Sequence, residues 1–345
     1  MSWLTGRDMA ASDETASILV TGGAGFVGAY VIRDLLRAGA HVVLLDTAPN
    51  SAILDRVLTS EHPGRLSRST GDLLDGWSLL RLCRRHSVEQ IVHLAAPLTQ
   101  VVRSSPGAGL TAMCAGTANV LEVAGALDVR RVVWASSTAV FGRVDAGQPL
   151  TERSPRCPES LYGSCKVLCE DLAAAYREDH GVDSIGLRLG VLYGAWRERG
   201  WIASFGQDED PVRSALTGRP IVVREPDRRL DWLYVEDAAA LVCRALAAPA
   251  TQDHVFNTSG EVATRRQFSE HIARHVPSVD IAIEDGEPTA NHHAATTGNE
   301  VMFDDGALRS QIGYASRRSL SDGIADTVRL YRASAMSPGD VTAHV

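Results

Sequence analysis

The stretch SILVTGGAGFVG (Ser17–Gly28) decides the fold. A short apolar run breaks into glycines, and a helical pattern then continues to Ala38. That order reads as a strand, a tight turn and a helix. Gly23, Gly25 and Gly28 match G-x-G-x-x-G, the spacing that lets a backbone approach a pyrophosphate at the positive end of the following helix. A second apolar strand, His41 to Leu45, ends in Asp46, 18 residues after Gly28, where a ribose-binding carboxylate is expected at about 20. A carboxylate there accepts two free ribose hydroxyls and repels a 2'-phosphate, so NAD is expected over NADP. The alternative for Asp46 is a plain strand-end turn residue.

Further strands follow with helices between them. Leu66 to Thr70 leads to Gly71-Asp72-Leu73, and Gln90 to Leu94 runs into Ala95-Ala96, small enough for a cofactor to pass close by. The alternative for Asp72 is a helix cap near Asp75. Pro106 to Leu127 reads as one long helix, and Val132 to Ala135 as a strand ending at Ser136-Ser137. This alternation predicts an α/β fold, a doubly wound parallel sheet with its ligand crevice at the carboxyl ends of the strands. Gly25, Asp46, Asp72 and Ser137 all fall just past such ends. Residues 17–190 are therefore expected to form a dinucleotide-binding domain, with 231–260 returning to it. Residues 191–230 and 261–333 form a smaller substrate-binding lobe, flanked by a disordered extension (1–16) and a flexible tail (334–345). Within the lobe, VLYGAWRERGWIASFGQDEDPVR suits a substrate lid, although Arg197, Arg199 and Arg213 also read as surface arginines. Short strands are expected at Pro220 to Val223 and Asp231 to Val235, and helices at Glu236 to Ala247, Arg265 to Val276 and Leu320 to Arg332.

Composition narrows the function. A net charge of -8 over 345 residues argues against nucleic-acid binding by bulk electrostatics. No apolar run approaches the roughly 20 residues that span a bilayer. The polar first 16 residues lack a signal-peptide core, so a cytoplasmic location is expected. Six cysteines without a paired framework read as reduced thiols. Cys157, Cys165 and Cys169 lack the CxxC spacing of a metal site, and no metal is expected.

The sequence holds 33 arginines and a single lysine, Lys166. An ammonium, unlike a guanidinium, is a compact point charge, so one lysine among arginines marks a place that needs it. It follows Tyr162 by four residues in a helix-favouring segment, Pro158 to Arg177, and positions four apart share a helix face. An ordinary phenol ionises near pH 10, and use as a base near neutrality takes about 3 to 4 kcal/mol of preferential phenolate stabilisation. An adjacent ammonium in a partly desolvated cleft supplies much of that. Ser137 then becomes a third member, bonding a substrate oxygen. The group reads as proton-transfer machinery for an alcohol or ketone. The plain alternative is a surface lysine beside an aromatic ring.

TGGAGFVG, SSTAVFG and YGSCK, in that order, resemble the extended short-chain dehydrogenase/reductase superfamily, the NAD-dependent epimerase/dehydratase group, over about residues 17 to 260. The resemblance implies Ser137 on the substrate oxygen, Tyr162 as acid/base, and Lys166 as the group that tunes the phenol and holds the nicotinamide ribose. It implies NAD contacts from Gly22, Gly25, Phe26, Val27, Gly28, Asp46, Asp72, Leu73, Leu94, Ala95, Ala96, Tyr162 and Lys166. Thr138, Arg197 and Arg229 are substrate candidates, and a homodimer pairing the Pro106 to Leu127 and Tyr162 helices is implied too. The chain also departs from the pattern. Val191 and Leu230 stand where sugar-nucleotide enzymes of the group carry Asn and a diphosphate-binding Arg. Thr138-Ala139 replaces the Asp-Glu pair of dehydratases, and Met113 replaces an Asn. The expected activity is NAD-dependent oxidoreduction of a secondary alcohol on a sugar, polyol or sugar acid. The alternatives are a nucleotide-sugar epimerase that retains NAD, and an NAD sensor without catalysis.

Overall fold

A computed structural model describes residues 17–58, 64–142, 149–197, 210–284, 302–316 and 318–335. The extension 1–16, Arg199 and the tail beyond 335 lie outside the described residues. Seven parallel strands form the main sheet: β1 (Ser17–Thr21), β2 (His41–Asp46), β3 (Leu66–Thr70), β4 (Val88–His93), β5 (Arg131–Ser137), β6 (Ser184–Leu189) and β10 (Val255–Asn257). Their order is β3-β2-β1-β4-β5-β6-β10. The order in which strands are added reverses between β1 and β4, which opens a crevice at their carboxyl ends.

Residue types explain the order. β1 is buried along its whole length, as a central parallel strand with helices on both faces must be. β3 carries Ser67, Arg68 and Ser69 and is mostly exposed, which suits an edge. Helices α1 (Phe26–Arg37), α2 (Ala52–Val57) and α3 (Gly76–Arg85) follow the first three strands. The single helix expected over Pro106 to Leu127 is α5 (Pro106–Leu110), a π-turn over Thr111–Ala115 and α6 (Gly116–Ala126) in succession, and a short α4 (Thr99–Ser104) precedes it. α7 (Leu161–His180) starts on Ser160, whose hydroxyl accepts from Gly163 N at 3.0 Å, and ends on Gly181 at φ +68°.

The smaller lobe holds α8 (Pro211–Leu216) and two small sheets. β9 (Arg229–Tyr234) lies between β7 (Val191–Tyr193) and β11 (Glu261–Thr264), while β8 (Ile221–Arg224) pairs with β12 (Ile281–Glu284). The strand expected at 231 thus belongs to the small sheet, and the return to the main sheet is made by α9 (Val235–Ala247) and β10. The small sheet packs on α10 (Arg265–His275) and α11 (Leu320–Ala335), with the Trp232 and Phe268 rings packed at a tilt, 4.2 Å between centroids. Helices α1 and α9 cover one face of the main sheet, and α3, α6 and α7 the other. No helix among the described residues is long and apolar enough to cross a membrane.

Asp231 in β9 gives this lobe a pH dependence. Its carboxyl accepts from Gly260 N at 2.6 Å and the Ser259 hydroxyl at 3.2 Å, but burial pushes its pKa up to about 6 from 3.8. The folded chain therefore keeps this proton to higher pH than the unfolded chain does. Stability from this group is lost as pH rises from about 4 to about 6, by on the order of 2 kcal/mol. The melting temperature of Asp231→Asn, relative to the parent, should rise across that window; a constant difference would remove Asp231 as the source.

Candidate active site

Two turns meet at the switch point. Gly22 has φ +70°, and a Cβ on it would stand 2.5 Å from Ala95 N. Only glycine allows that approach. A Cβ on Gly28 would likewise meet Gly22 O at 2.4 Å. Gly25 is exposed and caps α1 with no side chain over the helix end, and Phe26 and Val27 begin the helix half-buried. This cradle fits a dinucleotide diphosphate: bare backbone where a side chain would intrude, with the positive end of a 12-residue helix behind it.

Asp46 stands beside the cradle. Its Oδ2 accepts from Ala24 N at 3.3 Å and its Oδ1 from Ala48 N at 3.1 Å. Asp75, not Asp72, caps α3, accepting from Ser78 N at 2.9 Å. Asp72 remains exposed with one bond from Leu74 N, and the Leu73 carbonyl accepts from Asn119 Nδ2 at 2.7 Å. Leu94, Ala95 and Ala96 are half-buried in the turn after β4.

Under this crevice lies a buried hydrogen-bond chain. The Thr117 hydroxyl donates to Met113 O at 2.7 Å, so it accepts from His93 Nε2 at 3.1 Å, and His93 Nδ1 accepts from the Thr21 hydroxyl at 2.8 Å. Burial, and then the Lys166 charge, push the imidazole down to about 3, which keeps it neutral with its proton on Nε2. His93 is thus a packed strand residue.

Ser137 ends β5, and its hydroxyl accepts from Ala139 N at 3.2 Å in a short 3-10 turn, Thr138–Val140. The first turn of α7 presses on that turn: a Cβ on Gly163 would stand 2.4 Å from Ala139 O. Tyr162, one residue earlier on α7, is half-buried. Lys166 Nζ lies 5.7 Å from the centre of the Tyr162 ring and donates to Ala135 O at 2.7 Å, two residues before Ser137. Lys166 as a whole is 5% exposed, so the surface-lysine alternative is excluded.

The substrate candidates fare differently. Thr138 is buried in the turn after Ser137. Arg197 is no surface residue: it folds back onto Leu192 O, and burial pulls its guanidinium down to about 10. Arg213 is exposed on α8. Arg229 is exposed at the start of β9, opposite Thr264 in the small sheet rather than at the ends of the parallel strands. All six cysteines are free thiols, and Cys165 and Cys169 are buried while Cys157 is exposed. Among the described residues no cluster of histidines, cysteines or carboxylates is placed to hold a metal. Sequence reasoning passed over Glu170, a buried carboxylate paired with Arg188 at 2.8 Å; its one signal was a place four residues beyond Lys166.

Comparison with known proteins agrees with the cradle. The profile of the NAD dependent epimerase/dehydratase family matches residues 18–259. The chain belongs to this family. Its cofactor is NAD, and the protein is an enzyme of the extended short-chain dehydrogenase type. Among its relatives, dTDP-glucose 4,6-dehydratase from Actinoplanes sp. is 27% identical, aligned over 92% of this chain and 98% of its own. UDP-glucuronate 4-epimerase 5 from Arabidopsis thaliana is 33% identical over 64% of this chain and 52% of its own. In fold, the family member superposes on UDP-glucose 4-epimerase from Thermotoga maritima with a TM-score of 0.80 at 21% identity, covering 92% of this chain and 99% of that one. It superposes equally on L-threonine dehydrogenase from Cupriavidus necator, with a TM-score of 0.79 at 24% identity, covering 90% and 99%.

Proposed function

We propose that the protein oxidises or reduces one secondary alcohol carbon of a sugar, polyol or sugar-acid substrate. Tyr162 exchanges the hydroxyl proton, Ser137 holds the substrate oxygen, and Lys166 stabilises the phenolate. The observation that carries this reading is the place of the single ammonium, against the Tyr162 ring and on Ala135 O, two residues before Ser137. NAD bound in the cradle supplies the hydride acceptor. The chain supplies the rest: a fixed positive charge in a poorly solvated place, where it acts more strongly than in water. Asp46 at the end of β2 supports NAD over its 2'-phosphate analogue.

Thr138 and Ala139 follow Ser137, and neither is an acid, so elimination of water lacks a second proton-transfer group there. Leu230 is buried in β9 and brings no charge to a diphosphate. Both features favour redox at one carbon of a substrate without a nucleotide. A nucleotide-sugar epimerase is the second reading, favoured by the similarity to UDP-glucuronate 4-epimerase. Nucleotide analysis of the purified protein, with a screen of polyols, aldonates and nucleotide sugars, separates them. Exchangeable NAD and net oxidation of a non-nucleotide alcohol support the first reading. Retained NAD with isomerised nucleotide sugar replaces it by the second, and NAD binding with no turnover of any compound leaves a sensor.

Exposed leucines also suit a homodimer. Leu161 and Leu168 are seven residues apart on α7, at 39% and 44% exposure, and α5 beside them ends on Leu110 at 43%. Leu168→Glu should turn a sedimenting dimer into a monomer; a parent that sediments as a monomer would remove this assignment.

A further inference from the structure

Glu170 is buried, has no part in the proton transfer above, and gathers an unusual set of partners. Its Oε1 accepts from the Ser136 hydroxyl at 2.6 Å and from Arg188 Nε at 2.9 Å. Its Oε2 accepts from Arg188 Nη2 at 2.8 Å and from Arg156 Nη1 at 3.2 Å. Glu170 follows Lys166 by one helical turn, as Lys166 follows Tyr162, so the three lie along one side of α7. Lys166 holds the Ala135 carbonyl, and Glu170 holds the next residue, Ser136. Two successive residues of β5 are thereby pinned to two successive turns of α7, immediately before Ser137.

Arg188 closes the arrangement from the other side. It lies opposite Ser136 in the β5–β6 register, and its guanidinium sits 4.7 Å from the centre of the Phe141 ring, just past the 3-10 turn. The segment carrying Ser137 is held at Ser136 by Glu170, at Phe141 by Arg188, and in its middle by Gly163 against Ala139 O. A buried ion pair is an inefficient source of stability, since apolar side chains of similar volume usually stabilise as well. A directional carboxylate with four bonds does what an apolar group cannot, which is to set the distance between a strand end and a helix.

We propose that Glu170, with Arg188, is the positioning residue that sets the Ser137 hydroxyl against Tyr162, and that the Ser136 hydroxyl transmits the constraint. The proposal rests on the roles given above to Ser137 and Tyr162. Ser136→Ala tests it with the Glu170–Arg188 pair left intact, and Ser136→Thr restores the hydroxyl. In the full chain, Ser136→Ala should lower kcat by about tenfold on whichever substrate the parent turns over, with KM and the NAD dissociation constant within about twofold. Ser136→Thr should recover most of the rate. Independently of any substrate, amide hydrogen exchange over Ser137–Phe141 should speed up in Ser136→Ala and in Glu170→Gln, while α1 and β1 exchange as in the parent. Parental kcat or parental exchange in Ser136→Ala overturns the proposal. So does a fall in rate, NAD affinity and melting temperature all in step, which would make the residue structural only. Should Glu170→Gln not fold, both Ser136 variants still decide the matter. A parent that turns over nothing refutes the proposed function, while the exchange measurement still judges the positioning.

Discussion

Tyr162→Phe should reduce turnover by about 10²- to 10⁴-fold, the usual worth of a positioned acid/base group, while leaving NAD affinity within about twofold. The separation follows from what the substitution removes. The ring that packs beside Lys166 remains, with Nζ at 5.7 Å from its centre in the parent, and so does the bond from Lys166 to Ala135 O. Only the proton-carrying oxygen is lost. Steady-state rates on the substrate found in the screen, with a calorimetric NAD titration, read both quantities. Turnover at the parental rate would take Tyr162 out of the chemistry.

Gly22→Ala should abolish tight NAD binding, raising the dissociation constant on the order of 100-fold, or ~2.7 kcal/mol. Two costs combine at this position. A side chain at φ +70° is strained by about 1–2 kcal/mol. Its Cβ would also stand 2.5 Å from Ala95 N and 2.7 Å from Ala95 Cα, so the turn after β4 has to move away from the cradle. Gly181→Ala separates the two costs. Gly181 has nearly the same φ, +68°, with nothing within 4 Å of an added Cβ, so it carries the strain without the collision. That variant should lose a little thermal stability and bind NAD as the parent does. Equal NAD affinity in all three proteins would mean that the close approach of the two turns has no bearing on the cofactor.

The main sheet was legible because its signals are local. An apolar run, a glycine turn and a carboxylate at the next strand end all lie within Ser17–Asp46, and helix geometry alone brings Lys166 to Tyr162. What escaped depends on partners distant in sequence. LDWLYV has the buried character of a main-sheet strand, and only its pairing with Glu261–Thr264 and Val191–Tyr193 assigns it to the small sheet. The π-turn at Thr111–Ala115 leaves an ordinary helical sequence, because one extra residue per turn changes backbone bonding rather than composition. Glu170 reads as one more helical acid until Arg188 and Ser136 arrive from two other strands. Arg197 was masked by the abundance of arginine, which lowers the information in any one of them.

The most direct test of the chemistry follows one hydrogen atom. The full chain loaded with NAD is mixed with a substrate that carries deuterium on the carbinol carbon, and the nicotinamide is examined by mass spectrometry after a single turnover. Hydride transfer across the crevice predicts deuterium on the nicotinamide ring in the parent, and the same label arriving about 10²- to 10⁴-fold more slowly in Tyr162→Phe. Converted substrate with an unlabelled nicotinamide, or label transferred equally well without the phenol, would contradict it.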